Sequence, residues 1–328
     1  MPTPTCLVRS SINIDETFQV PHIVRAGETI SSSRMDARAG GKGANVAAAL
    51  GLAGARVRML GAVGDDATWP LDLLAEHHVD VESVHRSSDA PTGRAFIQIA
   101  ADGENSIVLL KGANFERVPA LDDPQQWLAQ GVSHLVLQNE IPLEVTAAYV
   151  RCAEAVRTDA ARICTIFNPS PMLGKDELRA FPWTGVDVLV VNEGEAHDLV
   201  VALHGEAADQ PSPAHTLAGL SSLSNTPWLV MTRGGRGVLA GVLLEGTRTW
   251  LDLPASAPRA VVNTTGAGDT FTGYLVAGLM KEEPQTRAAA ENVLRAAGLA
   301  ACMAVEVDGA MESIPAVAAV QARQGGGK

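Results

Sequence analysis

Hydrophobic positions follow two rhythms along the chain. Short, nearly continuous apolar runs recur at 57–64, 133–138, 163–169, 186–193 and 227–235. Runs of that length without polar alternation fit strands buried on both faces of a parallel sheet. Between them lie Ala-rich segments with helical spacing, among them "NVAAALGLAG", "LEVTAAYVRCAEAVRT" and "RAAAENVLRAAGLAACMAV". The alternation predicts an α/β fold, a doubly wound, mostly parallel sheet with helices on both faces. Ligands on such sheets bind beyond the carboxyl ends of the strands. The polar pairs at 168–169 ("NP") and 192–193 ("NE") and the turn 232–235 ("TRGG") fall at such ends.

Two stretches break the rhythm, about 13–39 and 92–114, which read as strands and turns with "ADGEN" as a hairpin connection. They either pair as a small sheet, a lid over a cleft whose other face buries against a second subunit, or form edge strands of the main sheet. Pattern alone leaves both open. Residues 1–328 are expected to form one domain, ending in a disordered tail over 322–328 ("ARQGGGK").

Composition narrows the partners. Apolar residues make up 46% of the 328, enough for a sizeable core, and the net charge is −12 with no long basic run. Duplex nucleic acid is therefore excluded as an expected partner, since its binding draws on clustered Lys and Arg. Small phosphates are not excluded, because backbone N–H groups hold them in acidic proteins too. The four cysteines lack metal-ligand spacing and are expected as free thiols. No signal segment or membrane-length apolar run is evident, so the expected setting is cytoplasmic, with no membrane partner.

The segment 261–279, "VVNTTGAGDTFTGYLVAGL", carries the most chemistry. Gly266, Ala267 and Gly268 let consecutive N–H groups converge into an anion nest at the start of a helix. Asp269 in that field is expected to stay ionised and to serve either as a general base or as a helix cap. The spacing matches neither the P-loop nor the dinucleotide glycine motif. "GGKGAN" (40–45) enters an Ala-rich helix, where Lys42 and Asn45 offer donors to hydroxyl oxygens or merely decorate a helix entry. In "SINID" (11–15), Asn13 and Asp15 share one strand face and suit adjacent sugar hydroxyls, although a strand-end turn explains them almost as well. Glu140, ending "LQNE", raises the same choice.

In order, "SINID", "AGET", "GGKGAN", "GDD", "PTG", "GAN", "QNE", "FNPSP", "VNEGEA", "TRGGRG" and "TTGAGDTFTG" resemble the ribokinase (PfkB) family of carbohydrate kinases. The resemblance runs from about residue 7 to about residue 315. It implies the ribokinase-like fold with a β lid, a homodimer through the lid sheet, and transfer of the ATP γ-phosphoryl group to the 5-hydroxyl of D-ribose. Lys42 in "GGKGAN" favours ribose over fructose-type acceptors; another sugar, a nucleoside, or a non-catalytic binding protein on the same fold are the alternatives. By position, Asp269 matches the catalytic base, and Gly266, Ala267 and Gly268 the anion hole. Asn13, Asp15, Gly41, Lys42, Gly43, Asn45 and Glu140 match sugar contacts. Asn192, Thr232, Arg233, Gly234, Gly235, Arg236, Gly237, Gly268 and Gly298 match nucleotide contacts, and Glu195 the carboxylate that organises Mg2+ through water. Asn263, Thr265, Ala304, Val307, Gly309 and Ser313 match a monovalent-cation site, commonly potassium. Three positions depart from the family pattern. Asn263 stands where Asp is usual, which implies a weaker potassium response. Gly298 stands where His or Asn is common near the adenine, and Ser10 replaces a usual glycine.

Overall fold

A computed structural model describes residues 3–158, 162–205 and 212–325. Among these residues the main sheet has nine strands in the order Thr247–Leu253, Val238–Leu244, Trp228–Thr232, Val188–Asn192, Cys164–Phe167, His134–Leu137, Thr5–Arg9, Arg56–Leu60 and Val79–Asp80. The seven strands from Trp228–Thr232 onward are parallel, and the remaining two run antiparallel at one edge. The parallel strands bury both faces, as their continuous apolar runs require. Val8, Val136, Ile166 and Val190 face one helical layer, and Leu7, Leu135, Phe167 and Leu189 face the other.

The chain starts at Thr5–Arg9, builds outward on one side through Arg56–Leu60, then returns to His134–Leu137 on the other. The strand order therefore reverses between Thr5–Arg9 and His134–Leu137. Their carboxyl ends open the crevice where ligands bind in open α/β sheets.

Of the two arrangements left open for 13–39 and 92–114, the separate sheet is found. Arg34–Gly40, Asn13–Val20, Gly93–Ala100 and Asn105–Leu110 make four strands apart from the main sheet. The "GDD" and "PTG" motifs anchor it. Asp66 Oδ1 accepts from the Thr92 N–H and hydroxyl, each at 2.8 Å, and Asp66 Oδ2 pairs with Arg94 at 2.6 Å. These donors pull the Asp66 carboxyl down to about 2 against the opposing effect of burial.

The run 57–64 is not one strand: after Leu60 the chain turns at Gly61, and Ala62–Gly64 pairs with His85–Ser87. The expected tail is also corrected in part. The Val317–Gly325 helix includes residues 322–325, with Val320 buried as its anchor, and 326–328 lie outside the described residues. All four cysteines are free, Cys6 and Cys302 buried. Among the described residues no helix is long and apolar enough to cross a membrane.

Candidate active site

Two helices meet above the crevice. One is Lys42–Leu52, entered through Gly41 at φ 89°; the other is Ala267–Lys281, entered through Gly266 at φ 76°. Both glycines adopt the left-handed backbone that other residues resist. Gly41 is further enforced by space, since a Cβ there would fall 2.8 Å from the Asn13 backbone nitrogen.

The helices approach closely because they touch through small residues. A Cβ on Gly273 would stand 2.4 Å from Ala49 Cβ, so only glycine permits this separation. Asn45 and Asp269 lie one turn earlier on the same two faces. There Asn45 Nδ2 donates to Asp269 Oδ2 at 2.9 Å, across 224 residues of sequence. Asn45 is thus directed first to the carboxylate rather than to a ligand, and its Oδ1 is buried without a partner.

Asp269 opens the second helix. The first intrahelical bond runs from the Thr270 N–H to the Gly266 carbonyl at 2.8 Å. The N–H groups of Ala267, Gly268 and Asp269 precede it and point out of the helix end. The one on Ala267 makes only a long 3.4 Å contact with the Thr264 carbonyl. A Cβ on Gly268 would meet nothing within 4 Å, so the space over this loop is open. Burial pushes the Asp269 carboxyl above its ordinary range, while Lys42 and the Asn45 hydrogen bond oppose the rise and Glu140 and Glu195 add to it. The raised carboxyl makes Asp269 a stronger base than a surface aspartate.

Lys42 sits in the middle of this acidic group. Burial alone would lower its ammonium, but Asp269, Glu140, Glu195 and Asp15 outweigh that and hold it above the usual lysine value. Glu140 braces the helix entry, its Oε2 accepting from the Lys42 N–H at 2.9 Å and from the Ser11 hydroxyl. Gly43 packs on Ser10, where a Cβ would lie 2.4 Å from Ser10 Cβ. Ser10 therefore fits in place of the family's glycine because Gly43 has no side chain. Its buried hydroxyl donates to Gln138 Oε1 at 2.9 Å.

On the side of the small sheet, Asn13 is buried and its Oδ1 accepts from Asn114 Nδ2 at 2.7 Å. Asn114, which the sequence offered only as part of "GAN", also clasps the Ile12 N–H and carbonyl at 2.9 and 3.0 Å. Asp15 lies one position beyond on the same strand face, so close to Gly40 that a Cβ there would overlap its carboxylate at 2.2 Å. Burial first, then Glu140, Asp269 and Glu312, lift the Asp15 carboxyl to about 7, with Lys42 opposing.

Beyond Gly268 opens a cleft of about 840 Å3, large enough for a nucleotide-sized ligand. Thr232, Gly234, Gly235, Gly237, Ala267, Gly268 and Gly298 line it. Asn292, Arg295 and Gln324 also line it; they carry no motif and were not legible as site residues. The two arginines of "TRGGRG" turn elsewhere, Arg233 to Asp252 and Arg236 to Glu193, and the cleft is lined by Thr232 and the glycines of that turn.

Asn192 and Glu195 form a reciprocal capping box at the Glu193–Leu203 helix. The Asn192 N–H donates to Glu195 Oε2 and the Glu195 N–H to Asn192 Oδ1, both at 2.9 Å. Glu195 keeps its second oxygen outside this box. Among the described residues no three His, Cys, Asp or Glu side chains converge into a metal cage. That donor set fits Mg2+, which commonly takes one or two carboxylates together with phosphate oxygens and water.

Comparison with known proteins agrees with the geometry. Residues 5–317 match the pfkB family carbohydrate kinase profile. A ribokinase of Haemophilus influenzae is 31% identical over 318 residues, covering 95% of each chain. The structure of ribokinase from Cryptococcus neoformans var. grubii serotype A in complex with ADP superposes with a TM-score of 0.85 at 41% identity, covering 98% of this chain and 99% of that one. Arabidopsis thaliana ribokinase complexed with ribose and ATP gives a TM-score of 0.80 at 26% identity, with 98% of each chain covered.

Proposed function

The chain belongs to the pfkB family of carbohydrate kinases, and from that premise we propose that it phosphorylates D-ribose at the 5-hydroxyl, using ATP and releasing D-ribose 5-phosphate and ADP. The observation that carries this reading is the meeting of Asn45 and Asp269 where the lid-side polar residues join the nucleotide cleft. A sugar held by Asn13, Asp15, Lys42 and the free edge of Glu140 would present a hydroxyl to Asp269. Asp269 takes the hydroxyl proton as the oxygen attacks the γ-phosphorus, and the bond to the β–γ bridging oxygen breaks with its electron pair leaving on ADP. Charge growing on the transferred group is met by the N–H groups of 266–268 and the helix N-terminus behind them. Magnesium, when bound with ATP near Asn192 and Glu195, supplies charge neutralisation for the phosphates. Ribose with ATP and ADP are the ligands named for the Arabidopsis and Cryptococcus structures, which supports the choice of substrates.

Ribose is preferred to a larger acceptor because the site combines Lys42 with the paired Asn13 and Asp15, groups suited to a small polyol. A lid closing over it would exclude water and suppress ATP hydrolysis. The lid has a second role in this reading. Ile107, Val108, Leu109 and Leu110 are all exposed on the Asn105–Leu110 strand, with Met35 exposed on the strand at the opposite edge of the same sheet. A second copy of the chain would cover this apolar surface, giving a homodimer. Coupled ADP release with D-ribose, D-fructose and adenosine tests the acceptor: the highest kcat/KM falls to ribose, and a clear preference for another acceptor overturns the assignment.

A further inference from the structure

Family resemblance leads one to expect a monovalent cation among Asn263, Thr265, Ala304, Val307, Gly309 and Ser313, but the groups there are arranged for a different charge. Asn263 Oδ1 accepts from the Thr265 N–H at 2.9 Å, and Asn263 Nδ2 donates to Asp308 Oδ1 at 3.0 Å. The Ala304 carbonyl accepts from the Val307 N–H at 3.2 Å, and the Ser313 hydroxyl donates to the Ala310 carbonyl at 2.8 Å. A positive charge is already present. Arg38 Nη2 lies 2.7 Å from Asp308 Oδ2, and a Cβ built on Gly309 would fall 2.7 Å from Arg38 Nη1. The guanidinium thus lies directly against the backbone whose carbonyl was expected to hold the ion. Asp36 and Glu312 are the other charged groups that act on Arg38.

We propose that Arg38 replaces the monovalent cation, so that the phosphate loop is held by the protein's own charge and turnover is independent of potassium. The connection is continuous: Arg38 holds Asp308, Asp308 holds the Asn263 amide, and Asn263 fixes the Thr265 N–H just before the Gly266 turn. The amide at 263 suits this arrangement, because a carboxylate there would face Asp308 with a like charge. A guanidinium keeps its charge near neutral pH and, unlike a bound ion, cannot dissociate. Arg38 also sits opposite Asp15 in the register of the Asn13–Val20 and Arg34–Gly40 strands. One side chain of the lid therefore ties the sugar-binding strands to the loop that receives the phosphoryl group. Arg38 acts here as a positioning residue.

The inference rests on residues 263–269 forming the phosphate loop of a kinase. It is tested by measuring ADP release and thermal denaturation with KCl exchanged for tetramethylammonium chloride at constant ionic strength. Wild type should hold its rate within about twofold and its Tm unchanged across the exchange, since an ion that bound only the native state would raise Tm by mass action. Arg38→Met should lose about tenfold or more in kcat through misplacement of the loop, with part of the rate and a Tm increment returning specifically in KCl as potassium enters beside the freed Asp308. Arg38→Lys should retain more activity than Arg38→Met. Potassium-specific activation of wild type accompanied by a Tm rise would overturn the proposal, as would an Arg38→Met enzyme with wild-type kcat. The wild-type series needs no variant to fold. Its denaturation arm does not depend on which sugar is the acceptor, so a wrong acceptor would appear as absent turnover with the Tm result intact.

Discussion

Raising the pH from 6 to 8 should increase kcat/KM for the sugar about tenfold, because it ionises Asp15. The carboxyl is lifted from its ordinary 3.8 to about 7 by burial and by Glu140, Asp269 and Glu312. Holding its charge at neutral pH therefore costs the empty site on the order of 4 kcal/mol. The sign follows from the folded state binding the proton more tightly than the unfolded chain. The destabilisation is absent below the ordinary carboxyl value, grows as pH rises through the window between 3.8 and about 7, and is complete above it. Sugar hydroxyls donating to Asp15 would favour the charged form, so the ionised site should bind the sugar far more tightly than the protonated one. With a midpoint near 7, roughly a tenth of Asp15 is ionised at pH 6 and roughly nine-tenths at pH 8, which sets the tenfold. Steady-state kinetics with sugar varied at saturating ATP, in buffers of matched ionic strength, give the profile. Asp15→Asn should lower the plateau and remove the step near 7. A flat wild-type profile, or an unchanged step in Asp15→Asn, would refute the reasoning.

Three further outcomes follow from packing and surface. Gly268→Ala should fold with an unchanged Tm, since a Cβ there meets nothing within 4 Å; kcat should nonetheless fall roughly a hundredfold as the methyl enters the space of the transferred group, and a fully active variant would contradict the anion-hole reading. Gly273→Ala drives a methyl against Ala49, so it should lower stability by about 1–3 kcal/mol in denaturant titrations and weaken turnover by parting Asn45 from Asp269; an unperturbed Tm would disprove the close-packing argument. Val108→Glu places a charge on a residue that is 61% exposed on the small sheet, and, if the proposed dimer forms there, it should give a monomer in sedimentation measurements where wild type gives a dimer; a wild-type monomer at assay concentrations would dispose of the proposal.

The parallel strands were legible because burial on both faces writes itself as uninterrupted apolar runs, as in "SHLVLQ" around His134–Leu137. Of the antiparallel pair, Thr247–Leu253 was not, because TRTWLDL mixes Thr, Arg and Asp among its apolar positions; Val238–Leu244 has an apolar run of its own, VLAGVLL, but such a run does not encode an antiparallel direction. Motif order pointed to the elements that converge at the crevice. It could not show which side-chain atoms meet, since Asn45 reaches Asp269 only through the glycine contact at Gly273 one turn away. Ser10 had no derivable consequence until Gly43 was seen packed against it. Arg38 and Asp308 stand 270 residues apart, and neither belongs to a motif. Local pattern carries no record of a contact made by tertiary packing.

The central claim is that Asp269 takes the proton from a sugar hydroxyl beside the 266–268 loop. Coupled ADP release upon addition of D-ribose, wild type beside Asp269→Asn, tests it most directly. The account predicts ribose-dependent release by wild type and a fall of about 10²–10⁴-fold in kcat for the variant, with ribose binding measured by calorimetry largely preserved. Comparable turnover in Asp269→Asn would contradict it.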